Sequence, residues 1–433
     1  MKKFTYIIAG LSIMAHAAIA QPNISPAKAQ SGIIAIVGGT IHIGNGKVIQ
    51  NGTIVFDKGK IVAVSEGNIA PSDASIVKAN GKQIYPGFIA PSNGLGLTEV
   101  ESVKATRDIQ ETGSINPHVR SLIAYNTDSR IIPTVRSNGI LLSQPGPIGG
   151  LVSGTSSVVQ LDAWNWEDAA YKTDIAVHFN WPTSKVRSGR RFGPSISEDL
   201  QKENYQKEMA LLKGYFAEAK AYADVDKPAI TNARFEAMKG LFNGSKKAIV
   251  NVDAQKDIII AVQFFKDFGI TPVLFGASDA IEITGFLKDH NISIIMHESQ
   301  QLPDNEDDDV NLPYKSAKIL HDAGILTAMS VSTYRKQHNL PFMAGTEVAF
   351  GLTKEEALAT ITSNTAKILG IDATTGTLEV GKDANIIISE GDALDMRSNN
   401  ITTAFIQGRS INLDNVHKQL YKRYADKYGI KAD

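Results

Sequence analysis

Apolar and polar positions change rhythm twice along the chain. From Ile33 short apolar runs alternate with glycine turns: Ile33–Val37, Thr40–Ile43, Thr53–Phe56 and Ile61–Val64 are parted by Gly38-Gly39, Asn45-Gly46, Asn51-Gly52 and Lys58-Gly59-Lys60. Asn and Gly tolerate positive φ, so these pairs predict hairpin turns and a small β-sandwich or barrel. Beyond Ile84 the rhythm lengthens. Apolar runs at 139–143, 157–161, 248–252, 272–275, 292–296 and 325–329 are separated by longer segments, several of them amphipathic. Tyr205, Met209, Leu212, Phe216 and Ala219 share one helical face, and Asp257–Phe268 reads as a second helix. Thr353 and Glu356 form a capping box, and Gly370 stops the helical stretch that follows. Apolar strands alternating with helices predict a parallel sheet buried on both faces. Eight such units close a (β/α)8 barrel with its site at the C-terminal strand ends, and six of them can be counted here. The short-strand texture returns at Ala384–Ile388 and Thr403–Gln407.

The ends add a cellular address. Lys2 and Lys3, the apolar centre Ile7–Ile13 and the small residues Ala18 and Ala20 make residues 1–20 a secretory signal. Residues 21–31 are polar, with two prolines, and read as a flexible leader. The apolar centre is shorter than the ~20 residues of a membrane span. No later run is long enough either, so the expectation is a periplasmic or secreted protein without a span after signal cleavage. Cysteine is absent, which excludes disulfides, thiolate metal sites and thiol nucleophiles. With 44 basic and 45 acidic side chains the formal net charge is −1, which provides no global field for nucleic acid or an anionic membrane.

The stretch Tyr85-Pro86-Gly87-Phe88-Ile89-Ala90-Pro91-Ser92-Asn93-Gly94 ends a buried strand in small polar groups. Together with Asn116–Arg120, Ile132-Pro133-x-x-Arg136-x-Asn138-Gly139, Gln144-Pro145-x-x-Ile148-Gly149-Gly150 and Leu161–Asp168, it resembles the exported, imidazolonepropionase-like branch of the amidohydrolase superfamily. Gly376-x-Leu378-x-x-Gly381-Lys382-x-Ala384 is similar to the family stretch that leads out of the barrel, with Asn385 where the family usually has Asp. The resemblance implies an α/β fold: a (β/α)8 TIM-like barrel over 85–376, a composite β-sandwich from 32–84 and 377–413, and a helical tail at 414–433. It also implies hydrolysis of C–N bonds other than peptide bonds, such as those of cyclic amides.

That chemistry rests, in the family, on zinc or another divalent metal held by His-x-His on strand one, single histidines on strands five and six, and Asp on strand eight. Such a metal lowers the pKa of its bound water. The matching positions here are Ser92 and Gly94, then Asp253, then Phe275 or Gly276, then Ser332. Ala90 replaces the acid that precedes the pair, and none of the nine histidines has HxH or HxxxH spacing. No metal or other cofactor is therefore expected. Ser92, Asn93, Gly94, Gly276 and Ser332 are the expected substrate-pocket residues. Asp253 follows the strand at 248–252, and His297 and Glu298 follow that at 292–296. These three are candidates for metal-free acid–base catalysis. Alternatively, His297 and Glu298 open a surface loop and Asp253 caps the helix near Asp257. The acidic run 304–309 lacks EF-hand spacing, and Lys185, Arg187, Arg190 and Arg191 form a basic loop.

Three functions fit. The first is a pseudoenzyme that binds a small-molecule amide or serves as the non-catalytic partner of an active amidohydrolase homologue in a hetero-oligomer. The second is an active hydrolase with a non-standard or metal-free site. The third is a periplasmic binding module for a small amide or peptide.

Overall fold

The computed structural model describes residues 25–185, 197–303, 307–331 and 333–431. Residues 1–20, expected to be a signal, Arg187, Arg190 and Arg191 of the expected basic loop, residues 304–306 of the acidic run and Ser332 lie outside the described residues.

The chain begins a sheet with β1 (Ile34–His42), β2 (Val48–Asp57), β3 (Lys60–Glu66), β4 (Ser75–Lys78) and β5 (Gln83–Pro86). β1 is its hub, antiparallel to β2 and parallel to β4 and β5. Two expected turns are absent from it. Gly38-Gly39 lies inside β1 as a register shift, because a Cβ on Gly39 would sit 2.6 Å from Ile84 Cδ1. Asn51 adopts φ 50° within β2 and does not end it. In both places the positive-φ or small residue lets the strand bend.

β5 passes through Gly87 straight into a second sheet. It comprises β6 (Phe88–Asn93), β7 (Ile140–Pro145), β8 (Val152–Gln160), β9 (Ala170–Asn180), β10 (Lys247–Val252), β11 (Val273–Gly276), β12 (Ser293–Met296) and β13 (Thr327–Met329), neighbours in chain order. This is a nearly closed, TIM-like barrel. β6, β7 and β8 are buried along their whole length, which is why their sequences run apolar and small without alternation. One strand departs from the regular pattern: β8 runs antiparallel to β7 and β9. Only residues 146–151 and 161–169 connect these three strands. A parallel crossover needs a dozen residues or more, so a meander is forced. The barrel seam lies between β13 and β6. There the Ser330 hydroxyl donates to Pro91 O at 2.7 Å, and Ile89 N–H donates to Ile361 O at 2.8 Å.

The chain then returns to the first sheet with β14 (Ile386–Ser389), β15 (Ile401–Ile406) and β16 (Arg409–Ser410). β14 lies antiparallel on β5, with Ile388 opposite Ile84. Ile36, Ile54, Phe56, Ile84, Ile386 and Phe405 share one core, so both ends of the chain build the same β domain. The tail forms a helix over Val416–Tyr428.

The two units are joined by charge as well as by packing. Asp162, 1% exposed, accepts from Arg136 Nη1 at 2.6 Å and from Arg409 Nη1 at 2.9 Å. Arg409 also donates to Gln160 Oε1, and Ala27 N–H donates to Asp162 Oδ2. Removing this carboxylate would leave two guanidiniums buried without a counter-charge. Asp162→Ala is expected to lower the unfolding free energy by roughly 3–5 kcal/mol. Denaturant melts of the two proteins check this, and a loss under about 0.5 kcal/mol, the range of an ordinary surface change, would sink it.

Candidate functional site

At the end of β6 the backbone turns sharply: Ser92 adopts φ 44°, in the left-handed region that its small side chain tolerates. Asn93 braces the turn, donating to Ala90 O at 2.8 Å and to Ser143 Oγ at 3.0 Å and accepting from Leu95 N–H. Ser92 N–H donates to Gln144 Oε1 at 3.1 Å, which orients the amide. Gln144 Nε2 must then donate to Ser156 Oγ, 3.0 Å away. Ser156 Oγ in turn lies 2.7 Å from His178 Nε2. Burial pulls His178 down to about 4, so its ring is neutral at pH 7. With Gln144 donating to Ser156 Oγ, the hydroxyl proton is left to donate to Nε2, which puts the ring proton on Nδ1.

His178 lines a cavity of about 220 Å³ in the barrel mouth, with Ser92, Asn93, Gly94, Asn180, Asn251, Phe275 and His297. Asn180 Nδ2 donates to Gly150 O, and Asn251 Nδ2 donates to Asn180 Oδ1 at 3.2 Å. The Asn251 side-chain oxygen Oδ1 remains as an acceptor. None of the described residues lining this cavity is Asp, Glu, Lys or Arg. The sequence reading missed His178, Asn180 and Asn251. Their signal was present: each is a polar residue that interrupts or ends an apolar run near the C-terminal end of a strand.

A second cavity of about 410 Å³ lies outside β10, β11 and β12, and His297 lines both. Asp253, His297 and Glu298 all stand on its wall, so the structure brings these three together. Gly276 makes the approach possible. Its φ is 84°, and a Cβ there would lie 2.6 Å from Asp253 Oδ1 and 2.9 Å from His297 Nε2. At the start of the helix that follows Asp253, Gln255 N–H donates to Asp279 Oδ2 at 3.0 Å. Asp279, Glu282 and Asp308 add carboxylates to the wall, and none of the described lining residues is Lys or Arg.

The residues present do not fit the family's histidine-held metal. Gly94 offers no donor, and a Cβ there would lie 2.7 Å from Ile109 Cδ1, so the space of a ligand is occupied. Phe275 presents hydrocarbon on strand six and packs edge-on to His297 with 4.6 Å between ring centroids. Among the described residues, no three His, Asp or Glu side chains gather to hold a metal ion.

Behind the His297 loop lies Glu347, fully buried. Neither carboxyl oxygen has a well-formed hydrogen bond, and the neighbouring Ser299 hydroxyl offsets only part of the burial, which pushes Glu347 up to about 8. Gln300 Nε2 ties the same loop to Thr346, the residue before Glu347, at 3.2 Å. The folded protein therefore holds a proton here that the unfolded chain releases near pH 4.5. This contribution to stability is full below that pH and is lost as pH rises through about 8. Unfolding free energy is expected to fall by about 3–5 kcal/mol across that window. Glu347→Gln should flatten the fall, and identical pH profiles for the two proteins would refute the assignment.

Residues 292–411 match the model of the Amidohydrolase family. No curated protein sequence matches the chain. Among solved structures, an amidohydrolase from Thermotoga maritima MSB8 superposes with a TM-score of 0.76 at 21% identity, over 88% of this chain and 99% of that one. A putative prolidase from Bifidobacterium longum gives 0.55 at 16% identity, over 91% and 99%. A zinc-bound adenosine deaminase from Xanthomonas campestris gives 0.51 at 14% identity, over 92% and 98%. At these identities the structures speak for the fold.

Proposed function

We propose that this member of the amidohydrolase superfamily is a small-amide-binding protein, a pseudoenzyme whose barrel mouth keeps recognition without the hydrolytic metal. One observation carries the reading. The inner cavity places His178 and Asn251 on an uncharged wall, one with a ring nitrogen and the other with a side-chain amide oxygen that the hydrogen bonds behind them do not use. An amide presents the complement, a carbonyl that accepts and an N–H that donates. Both protein groups are held by hydrogen bonds behind them, so little ordering entropy is lost on binding. The outer carboxylates of Asp253, Asp279, Glu282, Glu298 and Asp308 repel an anionic ligand, which favours neutral amides over their acids.

A second reading has its own support. Asp253 and His297 converge above Gly276, and a carboxylate–imidazole pair can shuttle protons without metal. In that case the chain hydrolyses a cyclic amide slowly. We further propose export to the periplasm or beyond, on the strength of residues 1–20, and association there with a histidine-bearing homologue that performs hydrolysis.

The test pairs metal analysis with thermal melts in pentanamide and in pentanoate. The expected outcome is bound zinc, iron and manganese well below stoichiometric. Pentanamide should raise Tm, adding about 2.7 kcal/mol at a hundredfold excess over Kd, while pentanoate does not. His178→Phe and Asn251→Leu should each weaken pentanamide binding about tenfold, a hydrogen bond's worth. A full equivalent of metal that disappears in Asp253→Ala, with turnover of a cyclic amide, would instead make the chain an active hydrolase.

A further inference from the structure

The tail helix Val416–Tyr428 is nearly free of the body that carries it. Asn415 caps its first turn and donates to Ser137 Oγ at 2.9 Å, and Ala425 is its one buried residue. The rest of the helix faces outward, including side chains that water solvates poorly. Val416, Leu420, Tyr424 and Tyr428 follow one another at i, i+4 spacing, and Tyr421 lies beside them, all more than a third exposed. At 100° per residue these five fall within one stripe, an arc of about 140°, which His417 and Lys427 share.

Charge tells what kind of surface would cover that stripe. Between 416 and 431 the chain places Lys418, Lys422, Arg423, Lys427 and Lys431 against the single acid Asp426. Arg423 flanks that arc and Lys427 lies within it, with their cationic heads 5.2 Å and 5.1 Å from the ring centres of Tyr424 and Tyr428. A second copy of the helix would bring five like charges against five. An anionic bilayer surface meets both requirements at once. Its headgroups answer the cations, and its interfacial layer accepts tyrosine rings, whose apolar body and polar hydroxyl suit the boundary.

We propose that the tail helix lies in the surface of a membrane containing anionic phospholipid, with the Val416–Tyr428 stripe turned into the interface and the barrel held beside the bilayer. The helix is too short and too charged to span. Its attachment is reversible and sensitive to salt.

Co-sedimentation tests this with vesicles of phosphatidylcholine alone and of phosphatidylcholine mixed with phosphatidylglycerol. The intact chain is compared with one ending at Asn415 and with the exposed-site variants Leu420→Ser/Tyr424→Ser and Lys422→Gln/Arg423→Gln. All keep the same N-terminus, so any contribution of residues 1–20 cancels, and a thermal melt verifies that each is folded. The intact chain should partition onto the anionic vesicles far more than onto the neutral ones. Each lost cation should weaken partition about fivefold, and truncation should bring it down to the neutral-vesicle level. Equal binding to both vesicle types, or undiminished binding after truncation, would overturn the proposal. So would binding to soluble polyglutamate without binding to anionic vesicles, which would make the helix a docking site for an acidic protein.

Discussion

Asp162 holds together segments that the chain makes far apart. Its two oxygens answer Arg136, before β7, and Arg409, on β16, and receive the Ala27 N–H of the leader. Apolar contacts in the barrel are numerous and individually replaceable, so a core of about the right volume tolerates exchange. A buried carboxylate between two guanidiniums has no such tolerance, because each charge depends on the others. The knot also pins the end of β8, the one antiparallel strand. Ser156 lies on that strand, so the orientation of His178 in the mouth rests on the same anchor.

The mouth itself is a run of neutral groups with a defined direction. From Ser92 N–H to Gln144 Oε1, and from Gln144 Nε2 to Ser156 Oγ, each donor meets an acceptor, and Ser156 Oγ lies 2.7 Å from His178 Nε2. In a low-dielectric interior such a chain holds a single arrangement, since an unmet partner is costly. That is the property of a recognition surface. The acidic cavity beyond His297 differs in kind: its wall is charged, and part of its rim is apolar through Leu302, Leu312 and Pro313. Phe275, packed on His297, stands on the inner side of the divide.

Much of this was legible in the chain. The apolar runs at 248–252, 272–275, 292–296 and 325–329 became β10 to β13, because strands buried on both faces must be apolar throughout. The capping box at Thr353 and Glu356 formed as written. Gly38-Gly39 and Asn51-Gly52 misled because a residue free to take positive φ serves a bulge as well as a turn, and only the partner strand decides. The direction of β8 was hidden for the opposite reason: it depends on the lengths of its connections, and apolarity carries no direction. In the site, Asp253, His297 and Glu298 could be placed at strand ends, but their meeting depends on Gly276, whose role is to have no side chain. His178 stands at no metal-ligand spacing, and its partner Ser156, held in turn by Gln144, is an uncharged residue on another strand.

Net charge shows how a whole-chain quantity can conceal local ones. The sum of −1 excludes a global field and permits two opposed local fields. Carboxylates gather on the outer cavity at the C-terminal ends of the barrel strands, and cations gather on the tail helix. At physiological ionic strength the Debye length is about 8 Å, so charges farther apart than that barely feel one another. A protein many times larger than this length can therefore be acidic where it receives a ligand and basic where it meets a surface. Each field acts on what lies within a few ångströms of it. The balance of 44 cations and 45 anions limits only what happens at long range, and both proposed functions are contact functions.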